Sequence, residues 1–457
     1  MTYDESLFWL DELNVYGMRL GLSRIKRLCG LLGNPERRYK TIHVTGTNGK
    51  GSVSMMIASA LTGAGCRTGL YTSPHLVSYT ERMRVDGAEI SEAEFADVMS
   101  RVRDAVEVMT GEGDESPTQF EALTAAAFLF YAERDVEYAV IEVGLGGLLD
   151  STNVITPVIS VITNVTMEHA DKCGGTLEGV AHHKAGIIKE RVPVVTAANG
   201  MPLEIIKKTA SEKNSPLMIL GRDFSAEWGK AHDDGRDVRL KIEKMKGQSF
   251  DYHLSLVGSY EAENSAVAAM ALLMLQENDG RVSVAAIQGA MSRMAWPGRF
   301  ELMEIGGQKI IVDGAHNPAG ASALRESLDE YIPDEEERGR VFLIGALADK
   351  DIDGITGALI RQCDEIVATM PDSERAAEPM KVIESARKNL LDGVGGKAAA
   401  DSLKAHGESD RDKALDLALL TAGDGQGRPL VVCGSLYLIG AIRKSIIGKN
   451  HVGCNAQ

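Results

Sequence analysis

The chain has few aromatic residues, 5%, and no run long and apolar enough to cross a membrane. Its longest uncharged stretch, Ser151–Met167, is rich in Ser, Thr and Asn and contains Pro157, whereas a spanning helix needs roughly 20 mostly apolar residues. Basic charge is also scarce: 49 Lys and Arg stand against 65 Asp and Glu, a net charge of −16. Such a surface repels phosphate backbones and anionic lipid, which argues against a general role on nucleic acid or at a membrane. A small anion can still bind where amides and a few cations converge. Six cysteines (29, 66, 173, 363, 433 and 454) are scattered without a CxxC pair. Neither a disulfide framework nor a zinc finger is expected; reduced thiols in a cytoplasmic setting are. Met1–Gly17 carries Asp4, Glu5, Asp11 and Glu12 and lacks a basic start before an apolar run, so it does not read as a secretory signal.

What is present is ample material for more than one core. With 457 residues, 44% hydrophobic and 25% charged, two or three domains are expected. Short apolar runs alternate with helical patterns: a buried strand Thr41–Thr45, a glycine-rich turn, a helix from Lys50 to Ala64, an amphipathic helix Pro117–Arg134, and strands Tyr138–Val143 and Val158–Ile162. The alternation predicts an α/β fold with a parallel, doubly wound sheet. Polar and apolar residues alternate in His232–Glu243 and Ser249–Leu256, which predicts a small antiparallel patch. Trp296-Pro297-Gly298 reads as an interdomain linker, after which strands and helices alternate again in a second, smaller α/β domain. Asp334–Arg340 and Glu408–Lys413 read as solvated charge runs.

The densest chemical signal is Gly46-Thr47-Asn48-Gly49-Lys50-Gly51-Ser52, directly after a strand and opening a helix. Phosphate oxygens need convergent N–H donors, close backbone approach and a positive helix terminus; glycines allow the approach, and Lys50 supplies a point charge. The loop is not a strict GxxxxGK[ST], because Val44 stands six before Lys50 and Gly51 separates the lysine from Ser52. A ligand-free glycine turn is the bland alternative. Glu142 ends a strand before Val143-Gly144-Leu145-Gly146-Gly147, where a carboxylate is placed to hold Mg²⁺ against a triphosphate; a surface glutamate is the alternative. His169 follows the next strand and belongs on the same sheet edge. Lys184, in His182-His183-Lys184-Ala185-Gly186-Ile187, reads on composition alone as a solvated lysine. Asp313-Gly314-Ala315-His316-Asn317-Pro318 follows a strand, with Asn317 and Pro318 forming a good helix start. Asp313 and His316 thus sit at a strand-to-helix turn of the kind that binds ligands, or at a capped loop and nothing more.

Together these motifs resemble the folylpolyglutamate synthase/dihydrofolate synthase family, among the Mur-ligase-like ATP-dependent amide ligases. The likeness runs from Asn14-Val15-Tyr16-Gly17-Met18-Arg19-Leu20-Gly21-Leu22 to Val432-Cys433-Gly434-Ser435. It is carried by the Gly46–Ser52 loop, Thr72-Ser73-Pro74-His75-Leu76, Glu142 with its glycines, the segment around Lys184, Pro297-Gly298-Arg299-Phe300-Glu301, and the Asp313–Pro318 turn. The resemblance implies an ATP-binding, P-loop domain with folate-binding loops over residues 1–295 and a Rossmann-like glutamate-ligase domain over 296–457, with the active site in the cleft between them. It also implies a reaction: a pteroate or folate carboxylate attacks the γ-phosphate of ATP, and the amine of L-glutamate then attacks the acyl phosphate.

By the same resemblance, Lys50, Lys184 and His316 are the catalytic set, and Lys50 with the amides of Thr47, Asn48, Gly49, Gly51 and Ser52 holds phosphate. Ser73, Glu142 and His169 ligate Mg²⁺. Lys184 is carbamylated, which requires an amine whose pKa is lowered by burial or nearby positive charge. Asn264 lies on the adenine side, and Arg299, Asp313 and His316 reach the nucleotide. Ser73-Pro74 sits in a loop that orders with folate, with cis geometry plausible. The implied partners are ATP, L-glutamate, and dihydropteroate or a reduced folate; a monomer is expected. This sequence departs from the family pattern at Leu148 and Ser151, where Arg and Ala are usual, at Glu168, usually Asp, and at His183, usually Glu. Two rival readings are a Mur-type ligase acting on another carboxylate and a nucleotide-binding protein without ligase turnover.

Overall fold

The computed structural model describes residues 1–17, 19–168, 170–245, 248–333, 339–393, 396–423 and 428–454. The chain divides into two units. The first comprises Met1–Glu227, Val238–His253 and Glu263–Met294; the second comprises Trp228–Asp237, Leu254–Ala262 and Ala295–Gln457.

The first unit is built on eight strands: β1 Lys40–Thr45, β2 Thr68–Tyr71, β3 Met83–Val85, β4 Ala88–Glu89, β5 Tyr138–Glu142, β6 Ile159–Ile162, β7 Val194–Thr196 and β8 Leu217–Ile219. Their order is β4-β3-β2-β5-β1-β6-β7-β8. From β2 to β8 neighbours pair parallel, while β3 and β4 extend one edge antiparallel. In β1 only Lys40 is exposed, as expected for a parallel strand covered by helices on both faces. Val44 lies opposite Glu142, and Thr45 opposite Ile162. The loop after β1, the Glu142 carboxylate and the segment from Thr163 therefore share one edge, the carboxyl end where open α/β sheets bind ligands.

Helix Gln119–Glu133 corrects one expectation. It is buried all round from Glu121 to Ala132, not along one face, because helix Glu92–Gly111 packs on it. Its start is a capping box: Thr118 accepts from Glu121 N while Thr118 N donates to the Glu121 side chain. The region of alternating polarity forms a three-stranded sheet of β9 Ser225–Trp228, β10 Arg236–Ile242 and β11 Gln248–Leu254, ordered β11-β10-β9. Every second residue of β10, from Arg236 to Ile242, is buried.

The second unit's sheet contains β12 Glu301–Ile305, β13 Gln308–Val312, β14 Val341–Ile344, β15 Glu365–Ala368, β16 Lys404–Gly407 and β17 Leu430–Cys433, ordered β12-β13-β17-β14-β15-β16. Only β12 is antiparallel. Ile311, Leu324, Leu328, Phe342 and Ile344 lie in one buried cluster on this sheet. Arg340 was expected in a solvated charge run, yet it is fully buried. It donates to Asp329 Oδ1 at 2.7 Å and Leu328 O at 3.2 Å, since a guanidinium can be buried only when it is paired; residues 334–338 of that run lie outside the described residues. No described helix is long and apolar enough to cross a membrane, and Cys29, Cys66, Cys173, Cys363 and Cys433 form no disulfide.

Candidate active site

The loop after β1 begins at Gly46 and passes through Gly49, at φ +82°, into helix Lys50–Gly63. A side chain at Gly49 would adopt a disfavoured left-handed backbone and collide with the Asn264 carboxamide, so glycine is required twice over. The loop is held from below by the segment after β6. Asn164 accepts from Thr47 N through its carbonyl and from Asn48 N through Oδ1, both at 2.8 Å. Thr163 Oγ1 donates to Asn48 O at 2.6 Å, and Thr166 N to Thr47 Oγ1 at 3.0 Å.

These bonds engage two of the amides from Thr47 to Ser52 that were expected to face phosphate. The Thr47 and Asn48 N–H groups are already committed to Asn164. The first-turn amides of Lys50, Gly51 and Ser52 head the helix and carry its positive end. The residues holding the loop, Thr163, Asn164 and Thr166, were not singled out in the sequence; their position just past a central parallel strand was the available signal.

Two lysines converge on one atom. Lys50 Nζ donates to Gly46 O at 3.2 Å and Thr47 O at 3.0 Å, and Lys184 Nζ donates to the same Gly46 O at 2.6 Å. The reading of Lys184 as solvated is overturned, because the residue is 6% exposed. Helix Leu177–Ala185 turns it inward toward the β1 loop. Burial, and then the positive charge of Lys50, pushes its amine down to about 7. A substantial share of this amine is therefore unprotonated at neutral pH.

Glu142, at the end of β5, is 4% exposed and accepts from Ser73 N at 2.9 Å through Oε2. The Ser73–Pro74 peptide is cis. A buried carboxylate beside a serine is a hard-oxygen donor set of the type Mg²⁺ takes, so this pair fits the ion by chemistry. His169 lies outside the described residues, and no group of three His, Cys, Asp or Glu side chains converges among the described ones. Beside Glu142, the buried Asp150 accepts from Leu145 N at 2.9 Å and from Thr152 N at 3.0 Å, which shapes the glycine turn.

In the second unit, Asp313 follows β13 and is 3% exposed. Its Oδ2 accepts from Phe300 N at 2.9 Å and from the Tyr260 hydroxyl, and its Oδ1 accepts from Ala315 N at 2.8 Å. Asp313 thus organises its own turn, a role not foreseen, and it depends on Tyr260, which no sequence pattern connected to it. Phe300 sits at φ +48°, a strained conformation for a bulky residue. Arg299 Nη1 donates to Gly298 O at 3.2 Å. His316 Nδ1 is 2.8 Å from Gly314 O, and facing a carbonyl it carries a proton. Asn317 Oδ1 caps helix Pro318–Tyr331 by accepting from Gly320 N at 2.7 Å.

Comparison with known proteins bears on the family of the chain. The Mur ligase middle domain family matches residues 44–272, and the Mur ligase glutamate ligase domain family matches 298–436. The folylpolyglutamate synthase of Lacticaseibacillus casei is 33% identical over 98% of this chain and 99% of its own length. The chain belongs to the folylpolyglutamate synthase/dihydrofolate synthase family. A second member of the family, the dihydrofolate synthase/folylpolyglutamate synthase of Bacillus subtilis, is 32% identical over 97% of this chain and 99% of its own. Among solved family structures, the Mycobacterium tuberculosis folylpolyglutamate synthase complexed with ADP and AMPPCP superimposes with a TM-score of 0.85 at 30% identity, covering 97% of this chain and 99% of that one.

Proposed function

We propose that this family member is an ATP-dependent ligase that joins L-glutamate to dihydropteroate, to a folate, or to both, through an acyl phosphate. The relatives' names support the acceptor class: dihydrofolate synthase/folylpolyglutamate synthase recurs among them, and the Escherichia coli structure carries DHPP and ADP. The observation that carries the reading is Lys50, held on Gly46 O and Thr47 O at the head of helix Lys50–Gly63. In a chain of net charge −16, this is a local cationic receptor for a triphosphate that must be approached by another anion.

The acceptor carboxylate oxygen attacks the γ-phosphorus, and ADP leaves. The glutamate amine then attacks the acyl carbon, and phosphate departs with the oxygen that came from the carboxylate. Lys50 and the first-turn amides hold the phosphates and oppose the charge that builds during in-line transfer. Ser73, Glu142 and His169 would hold Mg²⁺, which when bound supplies further neutralisation of the triphosphate. Lys184, with its lowered pKa, is suited to carbamylation. Asn264 lies beside the loop at Gly49.

Purified protein with MgATP and labelled glutamate, offered dihydropteroate and tetrahydrofolate in parallel, tests the reading. The expected result is a glutamylated product with stoichiometric ADP. ATP binding with no amide product from either acceptor would overturn it.

A further inference from the structure

The segment after the glycine turn grips the Lys184 helix on both sides of the lysine. On one side, Leu148 N donates to His183 O at 2.7 Å. On the other, Asn153 Nδ2 donates to Gly186 O at 3.2 Å, and the same nitrogen donates to Leu148 O at 2.9 Å. Gly147 lies between these points; a Cβ there would stand 2.7 Å from His183 O and 3.4 Å from Lys184 Cα. Only glycine lets the two backbones come so close.

Asn153 is 4% exposed. Both of its partners are carbonyl oxygens, so the amide nitrogen must face them. Its Oδ1 is buried without a hydrogen-bond partner, an arrangement that costs stability. What the side chain contributes therefore lies in its two donors, one of them to a carbonyl at a helix end, where intrahelical partners run out.

We propose that Asn153 is a positioning residue for Lys184: by bridging Leu148 O and Gly186 O it fixes the end of the helix that places the lysine amine on Gly46 O. The bridge stands on geometry alone; its consequence for turnover rests on the function proposed above. A shift of the helix end by an ångström breaks the 2.6 Å contact of Lys184.

Two substitutions test this. Asn153→Asp keeps the shape but sets a carboxylate against two carbonyl oxygens, and Asn153→Ser keeps a donor too short to bridge them. Amide exchange in peptides covering residues 182–188 should rise about tenfold or more, while peptides from β14 and β17 stay unchanged. Turnover counted per ATP-binding site should fall about 10²-fold, with ATP affinity within about threefold of the unmodified protein. Introduced into Lys184→Ala, the same substitutions should lower residual turnover by less than about twofold, because both act through one group. The proposal is overturned by unchanged exchange at 182–188, by unchanged turnover per site, or by losses that multiply with that of Lys184→Ala. If the unmodified protein makes no glutamylated product, the function reading fails, and the exchange measurement still decides the bridge.

Discussion

Two turns of this molecule share a plan and differ in sign. The loop after β1 and the turn after β13 each leave the carboxyl end of a parallel strand and open a helix. In the first, two lysine side chains converge on a backbone carbonyl. In the second, two amides and a tyrosine hydroxyl converge on a carboxylate. Topology supplies the same place twice, and side chains decide what the place can hold. The first turn offers a helix terminus and cations to an incoming anion. The second satisfies its own anion internally and presents Arg299 and His316 at its surface.

The contrast is broken most severely at Lys50. Lys50→Ala should lower glutamate-dependent phosphate release by about 10³-fold, the scale of losing a charged donor at a transferring phosphoryl group. Near-normal release would mean that the first turn is not the phosphate receptor. The paired glycines sharpen the comparison. Gly49→Ala meets both a left-handed backbone and the Asn264 carboxamide, and should weaken ATP binding by about 10²-fold, combining roughly 1–2 kcal/mol of backbone strain with the displaced carboxamide. Gly314→Ala meets the far end of the long Arg299 side chain and Leu436 Cδ2, and should cost less than about tenfold, since a guanidinium on a long stem can move aside. Titration calorimetry on both variants orders them; equal losses would remove the distinction.

A further effect is on stability and depends on pH. Lys184 has a folded value of about 7 against the ordinary 10.5, so between those values the unfolded chain binds more protons than the folded one. Stability attributable to this group therefore rises as pH rises through that window. Lys184→Met, which cannot titrate, should gain most over the unmodified protein at pH 6–7, and the gain should shrink toward pH 10. Denaturant midpoints across that range check it; a pH-independent difference would mean that the amine is not buried in its neutral form.

Much of this arrangement was legible in the sequence because it is local. A strand, a glycine loop and a helix are contiguous in Thr41–Ala64, and helix Pro318–Tyr331 opens on the Asn317-Pro318 start that the sequence displays. What was illegible is carried by distant partners. Lys184 lies in an ordinary polar segment, and only the approach of Gly46 and Lys50, more than a hundred residues earlier, makes it buried and near-neutral. Arg340 reads as solvent-facing until Asp329 and Asp364 are found beside it. Tyr260 gains its role only because Asp313 folds onto it. Helix Glu92–Gly111 differs from these, because its start is written locally in the capping box of Ser91 and Glu94.

The most direct test of the chemistry uses an acceptor whose reacting carboxylate is labelled with ¹⁸O. Transfer of phosphate to that carboxylate, followed by amine attack, moves one labelled oxygen into the released inorganic phosphate. Mass spectrometry of the phosphate should find one ¹⁸O per turnover. Unlabelled phosphate, with the label retained in the product or the acceptor, would contradict the account.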